Sequence, residues 1–501
     1  MIKMKPTLKT LSAGALVLAA VNHVYAQYTP PPPPAPFPGF LNEYLRANNP
    51  YMNQWDFGGN LRLRFEDKDG FAVAGQTGPS ADFRAHGTDV ENQYLLSRLR
   101  LHAGYADKWW SVYAEGQSSV AVGDDRFAYP NAPAIAGTGK TQGNGPESDM
   151  IDLHQAYFTI GNHKEFPLSL KVGRQEMIYG EERLIGAFGW NNIGRAFDEA
   201  KVRWQNPWFA ADFFTGYPVI PEDYRFDVDN THDWFSGVYA TSTKIPKTIL
   251  EAYFLSRNAS RQAINDQPSP QFPQPTARDI YTIGGRLKSK PGELGNWDYT
   301  LEGAYQFGDF ADPTKPALTA PRLTQDAFMF IVQGGYTFSD WWATPRLGLE
   351  YTYSSGDGNS TDGTHGTFDN LFPTNHKFYG YMDFISLQNI QDVRGEFTLK
   401  PTSRLSVAIE GHGFWLANTH DAFYSVAGAP RLTGGYGINP AYNSFVGTEL
   451  DAIAGYAVTR NAQLEVGYGH FFTGDYIRQS LAGVGGAKDA NYLYVQTTIN
   501  F

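Results

Sequence analysis

The sequence predicts an all-β fold, a transmembrane antiparallel β-barrel of about 18 strands with short periplasmic turns and long extracellular loops. Three regularities indicate this fold. Apolar and polar residues alternate along many short segments, short and long connections alternate between these segments, and tryptophans stand beside the short connections. A large soluble β-protein needs neither the second regularity nor the third. A membrane barrel has one rim of tight turns, one rim of loops and aromatic rings at the membrane interface.

The composition agrees with a chain of strands and turns. Of 501 residues, 52 are glycine, aromatic residues make up 15% and charged residues make up only 18%, less than in an average soluble domain. Cysteine is absent, so neither a disulfide framework nor thiol chemistry is available. The formal net charge of −11 argues against nucleic acid as a partner. The 11 histidines show no familiar zinc spacing, and we predict no metal and no cofactor.

The N-terminus has the pattern of an export signal. Three lysines precede a short apolar run at residues 11–21, and Ala26 ends a small-residue cleavage site. The run is too short for a membrane anchor. The proline run that follows is expected to be an extended, stiff linker. We therefore predict a signal peptide at 1–26, a proline-rich N-terminal segment at 27–53 and the outer-membrane barrel at 54–501.

Each strand is recognised by its alternation. In GNLRLRFED, Arg62 and Arg64 alternate with leucine and phenylalanine, and in SRLRLHAGYA, Arg98 and Arg100 alternate with apolar residues in the same way. One face of such a segment suits hydrocarbon and the other suits water. In chain order the segments are 54–66, 91–106, 109–122, 152–161, 168–176, 197–205, 208–217, 234–243, 249–258, 279–289, 297–308, 326–338, 344–355, 385–400, 403–417, 445–458, 462–472 and 491–501.

The connections between the strands alternate in length. The tight links lie at 106–108, 206–207, 244–248, 401–403 and 459–461, and long polar loops such as 177–196 and 356–384 lie between them. The tryptophans beside tight links are Trp109, Trp110, Trp204, Trp208, Trp297, Trp341 and Trp342. Because aromatic rings prefer the membrane interface, we assign this rim to the periplasmic girdle.

The last segment, NYLYVQTTINF at 491–501, is expected to pair with the first strand. An open sheet edge in lipid would leave backbone groups without hydrogen bonds, so the sheet has to close. The alternation ends on Phe501, which resembles the aromatic C-terminal signal that the outer-membrane assembly machinery recognises. We therefore predict a location in the outer membrane of a Gram-negative bacterium, with the lipid bilayer and the assembly machinery as partners.

The polar faces of the strands are predicted to line the lumen, because a charge facing hydrocarbon at mid-membrane costs about 2–4 kcal/mol. Opposite charges on neighbouring strands could pair as braces worth about 0.2–1 kcal/mol each. Alternatively, the surplus of guanidinium groups on the first two strands could hold carboxylates by forked hydrogen bonds, which predicts a path for anionic solutes. The candidates for this path on the strands are Arg62, Arg64, Arg98, Arg100, Lys201, Arg203, Arg346, Arg394, Glu350 and Glu396.

Three short motifs suggest other chemistry, and none of them is complete. AIAGTGKT (134–141) ends like a phosphate-binding loop, but alanine stands at the first glycine position and no strand–helix context surrounds it. DGNSTDG (357–363) lacks the spacing and final glutamate of an EF-hand, so a turn is the simpler interpretation and a calcium site the alternative. Asp152 and His154 lie two residues apart on a strand, without a convincing nucleophile and base pair. We predict that the protein is not an enzyme.

Two stretches go beyond a generic barrel pattern. They are KVGRQEMIYGEERLIGAFGWNNIGRAFDEAKVRW (171–204) and SSGDGNSTDGTHGTFDNLFPTNHKFYGYMDF (354–384). Together with the strand count, they resemble the alginate export family of outer-membrane porins over residues 54–501. This resemblance implies a monomeric 18-stranded barrel that passes an anionic polysaccharide through an arginine-lined constriction. It also suggests constriction candidates in the two stretches, namely Arg174, Arg195, His376, Lys377, Tyr379 and Asp383.

Arg174 conflicts with strict alternation. Leu168, Leu170 and Val172 are assigned to the lipid face, and Arg174 has the same parity. We predict that a bulge at Gly173 turns the arginine inward.

Four functions are compatible with these patterns. The first is a passive channel for anionic polysaccharide export, and the second is a substrate-selective uptake porin for small anions or sugars. The third is a barrel enzyme with a catalytic pair at the rim, and the fourth is a structural or adhesive barrel that its own loops plug. The many inward acids leave the acidic polymer itself open, and the sequence names neither the solute nor the direction of transport.

Overall fold

The computed structural model of the chain describes residues 39–73, 81–126, 146–221, 226–260, 276–313, 315–316 and 319–501. The predicted signal peptide, residues 27–38 of the proline-rich segment and the AIAGTGKT motif lie outside these residues. None of the helices within them has the length and apolar composition to cross a membrane.

Eighteen antiparallel strands form one closed sheet within the described residues, and the last strand pairs with the first. The strands are β1 Trp55–Asp69, β2 Glu91–Ala106, β3 Trp110–Val122, β4 Asp149–Gly161, β5 Leu168–Gln175, β6 Phe197–Asn206, β7 Phe209–Ile220, β8 Asp233–Ser242, β9 Thr248–Ala259, β10 Arg278–Ser289, β11 Trp297–Ala311, β12 Arg322–Thr337, β13 Arg346–Ser354, β14 Ile390–Leu399, β15 Leu405–Leu416, β16 Phe445–Ala457, β17 Ala462–Thr473 and β18 Ala490–Asn500. The predicted all-β barrel of 18 strands is confirmed.

Short elements lie outside the barrel wall. The helices are α1 Phe40–Asn48 and α2 Asp475–Leu481, with 3₁₀ turns at Pro50–Gln54 and Asn375–Lys377. Two-residue strands lie in the loops at Val228–Asp229, Thr364–His365, Phe423–Tyr424 and Pro430–Arg431.

Strand β12 shows how alternation becomes a barrel wall. Phe328, Phe330 and Val332 are exposed on the outer face, whereas the residues between them, Met329 and Ile331, are buried inside. Successive side chains of a strand point to opposite faces, so one register places a complete apolar row against lipid.

One predicted strand begins late. The segment 385–400 forms a strand only from Ile390 onward, because residues 385–389 belong to a loop inside the barrel. Ser354 donates to the carbonyl oxygen of Leu387 at 2.9 Å, and Asn389 has a φ of 49°, which ends strand pairing. A buried apolar loop segment therefore resembles a strand in the sequence.

The barrel closes at a seam between β1 and β18, with Asn60 opposite Asn500. Beyond this pair, the amide of Gly59 donates to the carbonyl of Phe501 at 2.8 Å, and the amide of Phe501 donates to the carbonyl of Gly59 at 3.0 Å. A Cβ on Gly59 would lie 2.6 Å from the Phe501 ring. The seam therefore needs glycine at position 59.

The outer surface carries aromatic residues beside the short turns, as the sequence predicts for a membrane girdle. The exposed tryptophans there are Trp109, Trp110, Trp208, Trp297, Trp341 and Trp342. Trp204 is half-buried beneath this rim, with its ring centroid 5.6 Å from that of Phe209.

The apolar core lies inside the barrel, and not between packed sheets or helices as in a soluble domain. Loop residues such as Phe83, Ile185, Phe368 and Phe384 are almost completely buried there. The rings of Phe83 and Phe384 meet edge to face at 5.1 Å. Long loops from the rim opposite the tight turns thus fill part of the lumen and narrow the passage through it.

Candidate functional site

Two loops meet inside the lumen. Loop A, residues 176–196, joins β5 to β6, and loop B, residues 355–389, joins β13 to β14. The amide of Gly186 donates to the carbonyl of Phe372 at 2.8 Å, and the amide of Phe372 donates to the carbonyl of Leu184 at 2.9 Å. The two loops therefore share a short backbone ladder and form one constriction.

Arg62 and Arg98 hold loop A against the wall of β1 and β2. They face each other as register partners on neighbouring strands. Arg62 donates to the carbonyls of Gly189 at 2.8 Å and Asn191 at 2.9 Å, and Arg98 donates to the same Gly189 carbonyl at 3.2 Å. Across the described part of the chain, neither arginine has a carboxylate within ion-pair distance. Their hydrogen bonds therefore go to carbonyl oxygens and not to carboxylates.

Arg64 combines an ion pair with a contact to loop A. Its Nε lies 2.6 Å from a carboxylate oxygen of Glu66. Its guanidinium lies 3.9 Å above the centre of the Trp190 ring, and it donates to the Trp190 carbonyl at 2.8 Å. Arg64 thus stacks on and anchors the tip of loop A.

Arg100 also reaches loop A. It donates to Glu176 at 3.0 Å, to the carbonyl of Ile193 at 3.1 Å and to Gln117 at 2.6 Å. All four arginines of β1 and β2 therefore contact loop A. The alternation within these two strands does not reveal this contact.

The opposite side of loop A is held by charged side chains of the far wall. Glu181 lies 3.0 Å from Arg286 and 3.0 Å from Lys288, both on β10. Arg183 lies 2.7 Å from Glu350 on β13. Loop A therefore spans the lumen between walls that lie far apart in the sequence.

Arg195 lies where loops A and B meet. Its Nη1 donates to the carbonyls of Gly186 at 3.0 Å, Phe372 at 2.7 Å and Pro373 at 2.9 Å. One guanidinium nitrogen thus gathers carbonyls from both loops.

The candidates in loop B also contact the constriction. The His376 ring stacks on Trp190 at 3.9 Å and bonds to Asp383 at 3.0 Å. Lys377 donates to Glu182 of loop A at 2.7 Å, and the Tyr379 hydroxyl accepts from Arg183 of loop A at 3.3 Å. The motif that carries the resemblance in loop B therefore faces the motif in loop A.

The remaining strand candidates pair with opposite charges on the wall, as braces do. The pairs are Lys201 with Glu199 at 3.6 Å, Arg203 with Asp212 at 2.9 Å, Arg346 with Asp298 at 2.7 Å and with Glu396, and Arg394 with Glu410 at 2.7 Å and with Glu350 at 3.8 Å. The interpretation of the inward charges as braces therefore holds for these residues, whereas the arginines of β1 and β2 contact loop A.

The expected inward bulge at Arg174 is wrong. Gly173 has a φ of 126°, but the pairing of β5 continues without a register shift, with Gly173 opposite Glu199 and Arg174 opposite Asp198. Arg174 therefore stays on the side of Val172. Asp198 binds it with two hydrogen bonds of 2.9 Å. The ion pair with Asp198, and not a bulge, therefore compensates the charge of Arg174 on this face of the strand.

Several residues that hold loops A and B in the lumen escaped the sequence patterns. Trp190, Glu181, Arg183 and Asp369 lie in loops, where no periodicity indicates a direction. The one usable signal was composition, since GEERL places three charges in a loop that also contains aromatic and apolar residues. DGNSTDG, the possible calcium loop, forms turns in which Asp357, Asn359 and Asp362 accept backbone hydrogen bonds two residues on.

One group of three carboxylates lies close together in the described chain. Oxygens of Asp149, Asp152 and Asp227 are within 4.8 Å of one another. Asp152 also receives the amide of Asp227 at 3.0 Å and the guanidinium of Arg174 at 3.4 Å. Burial, with the neighbouring Asp149 and Asp152, raises the pKa of Asp227 to about 10. Because acidic groups often cluster without an ion, we assign no metal here.

The raised pKa of Asp227 predicts a pH-dependent stability. The folded state keeps a proton that the unfolded chain loses near its ordinary pKa of 3.8. The resulting stabilisation is present below that pH and is lost as the pH rises toward 10. We expect the unfolding temperature of the wild type to fall relative to that of Asp227→Asn between about pH 5 and about pH 9. Heat-modifiable gel migration measures the unfolding temperature of each protein. A difference in unfolding temperature between the two proteins that does not change with pH would contradict the prediction.

Comparison with known proteins agrees with this architecture. No curated protein matches the sequence. The fold is similar to OccK1 (OpdK) of Pseudomonas aeruginosa, with 12% identity, a TM-score of 0.52 and coverage of 89% of this chain and 99% of that chain. It is also similar to OccAB1 of Acinetobacter baumannii, with 9% identity, a TM-score of 0.55 and coverage of 89% and 96%. Identities this low establish the fold alone.

The family is established by the sequence itself. The profile of the alginate export family matches residues 54–486, which is nearly the whole barrel. The resemblance inferred from the two long motifs is therefore confirmed. The chain belongs to the alginate export family, and it is an outer-membrane channel of a Gram-negative bacterium.

Proposed function

We propose that the channel conducts acidic solutes passively, and that an anionic polysaccharide is its substrate. The observation that carries this proposal is the pair Arg62 and Arg98. Both guanidinium groups face the lumen, stand opposite each other and are met by backbone carbonyls. A carbonyl carries only a partial charge, so a passing carboxylate competes well for such a group.

The paired cations on the rest of the wall do not add to this local surplus of positive charge. Braces such as Arg203 with Asp212 contribute little net field, because each cation has its own anion. Acids on the outer loops are screened by salt over about 8–10 Å. Arg62 and Arg98, which have no carboxylate of the described residues within ion-pair distance, therefore dominate the local potential where loop A narrows the lumen.

We expect the purified channel to prefer anions modestly in planar bilayers, with the preference weakening as the salt concentration rises. The zero-current potential across a salt gradient measures it. A polymer of uronic acids should also block the current from one side, whereas an uncharged polysaccharide of the same length should not. A zero-current potential of the sign for cations would contradict the proposal and favour a porin for neutral or cationic solutes.

The second candidate is a selective uptake porin for small anions or sugars. It is favoured by the degree to which loops A and B fill the lumen, since Phe368 and Ile185 are nearly inaccessible there. The structurally similar OpdK, with 12% identity, a TM-score of 0.52 and coverage of 89% of this chain and 98% of that chain, was crystallised with vanillate, a small carboxylate. Uptake into liposomes of a monomeric uronate, but not of a uronate polymer, would favour this candidate.

We infer that the protein is not a hydrolase. His154, the one residue that suggests a catalytic base, bonds to Glu176 of loop A at 2.8 Å. This bond gives His154 a role in holding the loop. Purified protein should leave esters, peptides and nucleotides intact.

A further inference from the structure

We propose that three carboxylates of loops A and B occupy binding sites on the barrel wall that take the acidic groups of the passing solute. The carboxylates are Glu176, Glu181 and Asp369. In the closed channel, these loop carboxylates would occupy the sites in place of an acidic polymer. Carboxylates of the solute then replace them, and the constriction opens. The inference rests on the proposed function, because it presumes an acidic solute.

The first site lies on β10 and β11. Glu181 of loop A is paired with Arg286 and Lys288 at 3.0 Å each, and the hydroxyl of Thr300 donates to the same carboxylate at 3.3 Å. Glu181 is only 2% exposed. Two cations and a hydroxyl around one carboxylate are the donors that a uronate group would need.

The second site lies on β2 and β4. Glu176 of loop A accepts from Arg100 at 3.0 Å and is bonded to His154 at 2.8 Å. Gln117 binds the Nε of Arg100 at 2.6 Å and fixes its orientation. The donors again come from the wall, and the carboxylate comes from the loop.

The third site lies on β9 and β10. Asp369 of loop B is bonded to Arg278 and lies 3.8 Å from Arg257. Asp233 of the wall also holds Arg257, at 2.7 Å. The arrangement of the other two sites thus recurs with a different loop, at a different place on the wall.

These sites differ from the braces of the barrel. In a brace such as Arg346 with Asp298 at 2.7 Å, both partners lie on strands and cannot part while the sheet stays closed. A loop carboxylate can leave while every strand pair remains. Its departure removes one anion from a buried cation, which costs free energy unless another anion takes its place.

That cost makes the opening depend on the solute. Without an acidic solute, release of loop A takes the Glu181 carboxylate from Arg286 and Lys288 and the Glu176 carboxylate from Arg100. Arg286 keeps Glu251 at 2.7 Å and Arg100 keeps Glu115 at 3.8 Å, so the release removes part of the negative charge that balances these buried cations. A uronate carboxylate restores the same ion pairs, so it binds the open arrangement better than the closed one and shifts the population toward it. No covalent bond forms or breaks in this exchange.

The test uses the absence of cysteine from the chain. Ala187 of loop A is 4% exposed, so the variant Ala187→Cys carries a single buried thiol whose modification rate reports release of the loop. The probe is sodium glucuronate, compared with sodium chloride at equal ionic strength. We expect glucuronate to accelerate modification at least about fivefold.

Removing the negative charge of a loop carboxylate should also accelerate thiol modification, even without an acidic solute. In the same reporter, Glu181→Gln should raise the rate in chloride and reduce the further gain from glucuronate. The matched control is Asp298→Asn, which neutralises a brace and should change neither rate. Equal rates in glucuronate and chloride, or an effect of Asp298→Asn as large as that of Glu181→Gln, would overturn the inference.

Two further variants keep the test decisive. If Glu181→Gln does not form a heat-modifiable barrel, Glu176→Gln and Asp369→Asn examine the other two sites by the same criteria. The zero-current potential separates this inference from the proposed function. A cation-selective channel overturns the proposed function, whereas an anion-selective channel with unaccelerated modification overturns only the exchange.

Discussion

Replacing Arg62 and Arg98 together by glutamate is expected to reverse the ion preference of the channel, from anions to cations, and to raise its conductance. The two side chains stand opposite each other on β1 and β2 and hold the carbonyls of Gly189 and Asn191. Glutamates at these positions would place negative charge beside those carbonyl oxygens, which repels loop A and removes its anchors. The zero-current potential and the single-channel conductance in planar bilayers measure both effects.

The control makes the same change of charge outside the lumen. Lys164 and Lys244 are exposed on the short turns before β5 and β9, and their replacement by glutamate should leave the sign of the preference unchanged. If the lumen variant keeps its anion preference, Arg62 and Arg98 do not set the potential of the path. If the control reverses the preference as well, the total charge governs selectivity, and not the constriction.

Replacing Gly59 by valine is expected to remove most of the closed barrel from the outer membrane. A Cβ at this position would lie 2.6 Å from the carbonyl oxygen of Arg100 on β2 and 2.6 Å from the Phe501 ring across the seam. One of these neighbours is backbone, which cannot move without breaking the pairing of β1. An unpaired strand edge in lipid leaves backbone groups unsatisfied at several kcal/mol each. The fraction of heat-modifiable protein in outer-membrane extracts measures the loss.

The matched control is Gly303→Val on β11. This glycine lies within a strand as Gly59 does, but the nearest atom to a Cβ at this position would be the carbonyl oxygen of Met329 at 3.7 Å, an ordinary contact. The control should assemble like the wild type. Phe501→Ala tests the ring alone, since it keeps the two backbone bonds to Gly59, and it should lower the thermal stability of the barrel less than Gly59→Val does. Normal assembly of Gly59→Val would show that the seam tolerates a side chain there.

The structure also changes the meaning of the inward charges. From the sequence, the arginines of β1 and β2 are expected to face water in an open pore. In the folded chain they bind the carbonyls and carboxylates of loop A, and Arg64 is 1% exposed. Anion preference and loop anchorage therefore depend on the same side chains. A variant that alters one property should alter the other.

The sequence by itself determined the barrel wall. Period-two alternation is a local pattern, because each strand residue faces either lipid or lumen whatever its partners are. The strand count, the closure through β18 and the tryptophans beside the short turns all follow from this pattern. The two long motifs, at 171–204 and 354–384, also sufficed for the family.

Only the tertiary structure decided where the loops lie and which charges meet. Loop residues have no periodicity, so nothing in GEERL indicates that Glu181 reaches Arg286 on a strand about a hundred residues away. Asp124 stands in a polar loop and would be expected to be exposed, yet its side chain is buried against Arg126 at 2.7 Å. Alternation correctly gave Arg174 the parity of Val172, and the assumed inward bulge failed because the pairing with Asp198 lies across strands. Such contacts join groups that lie far apart in the sequence and depend on their relative free energies in the folded chain. A local sequence pattern therefore cannot predict them.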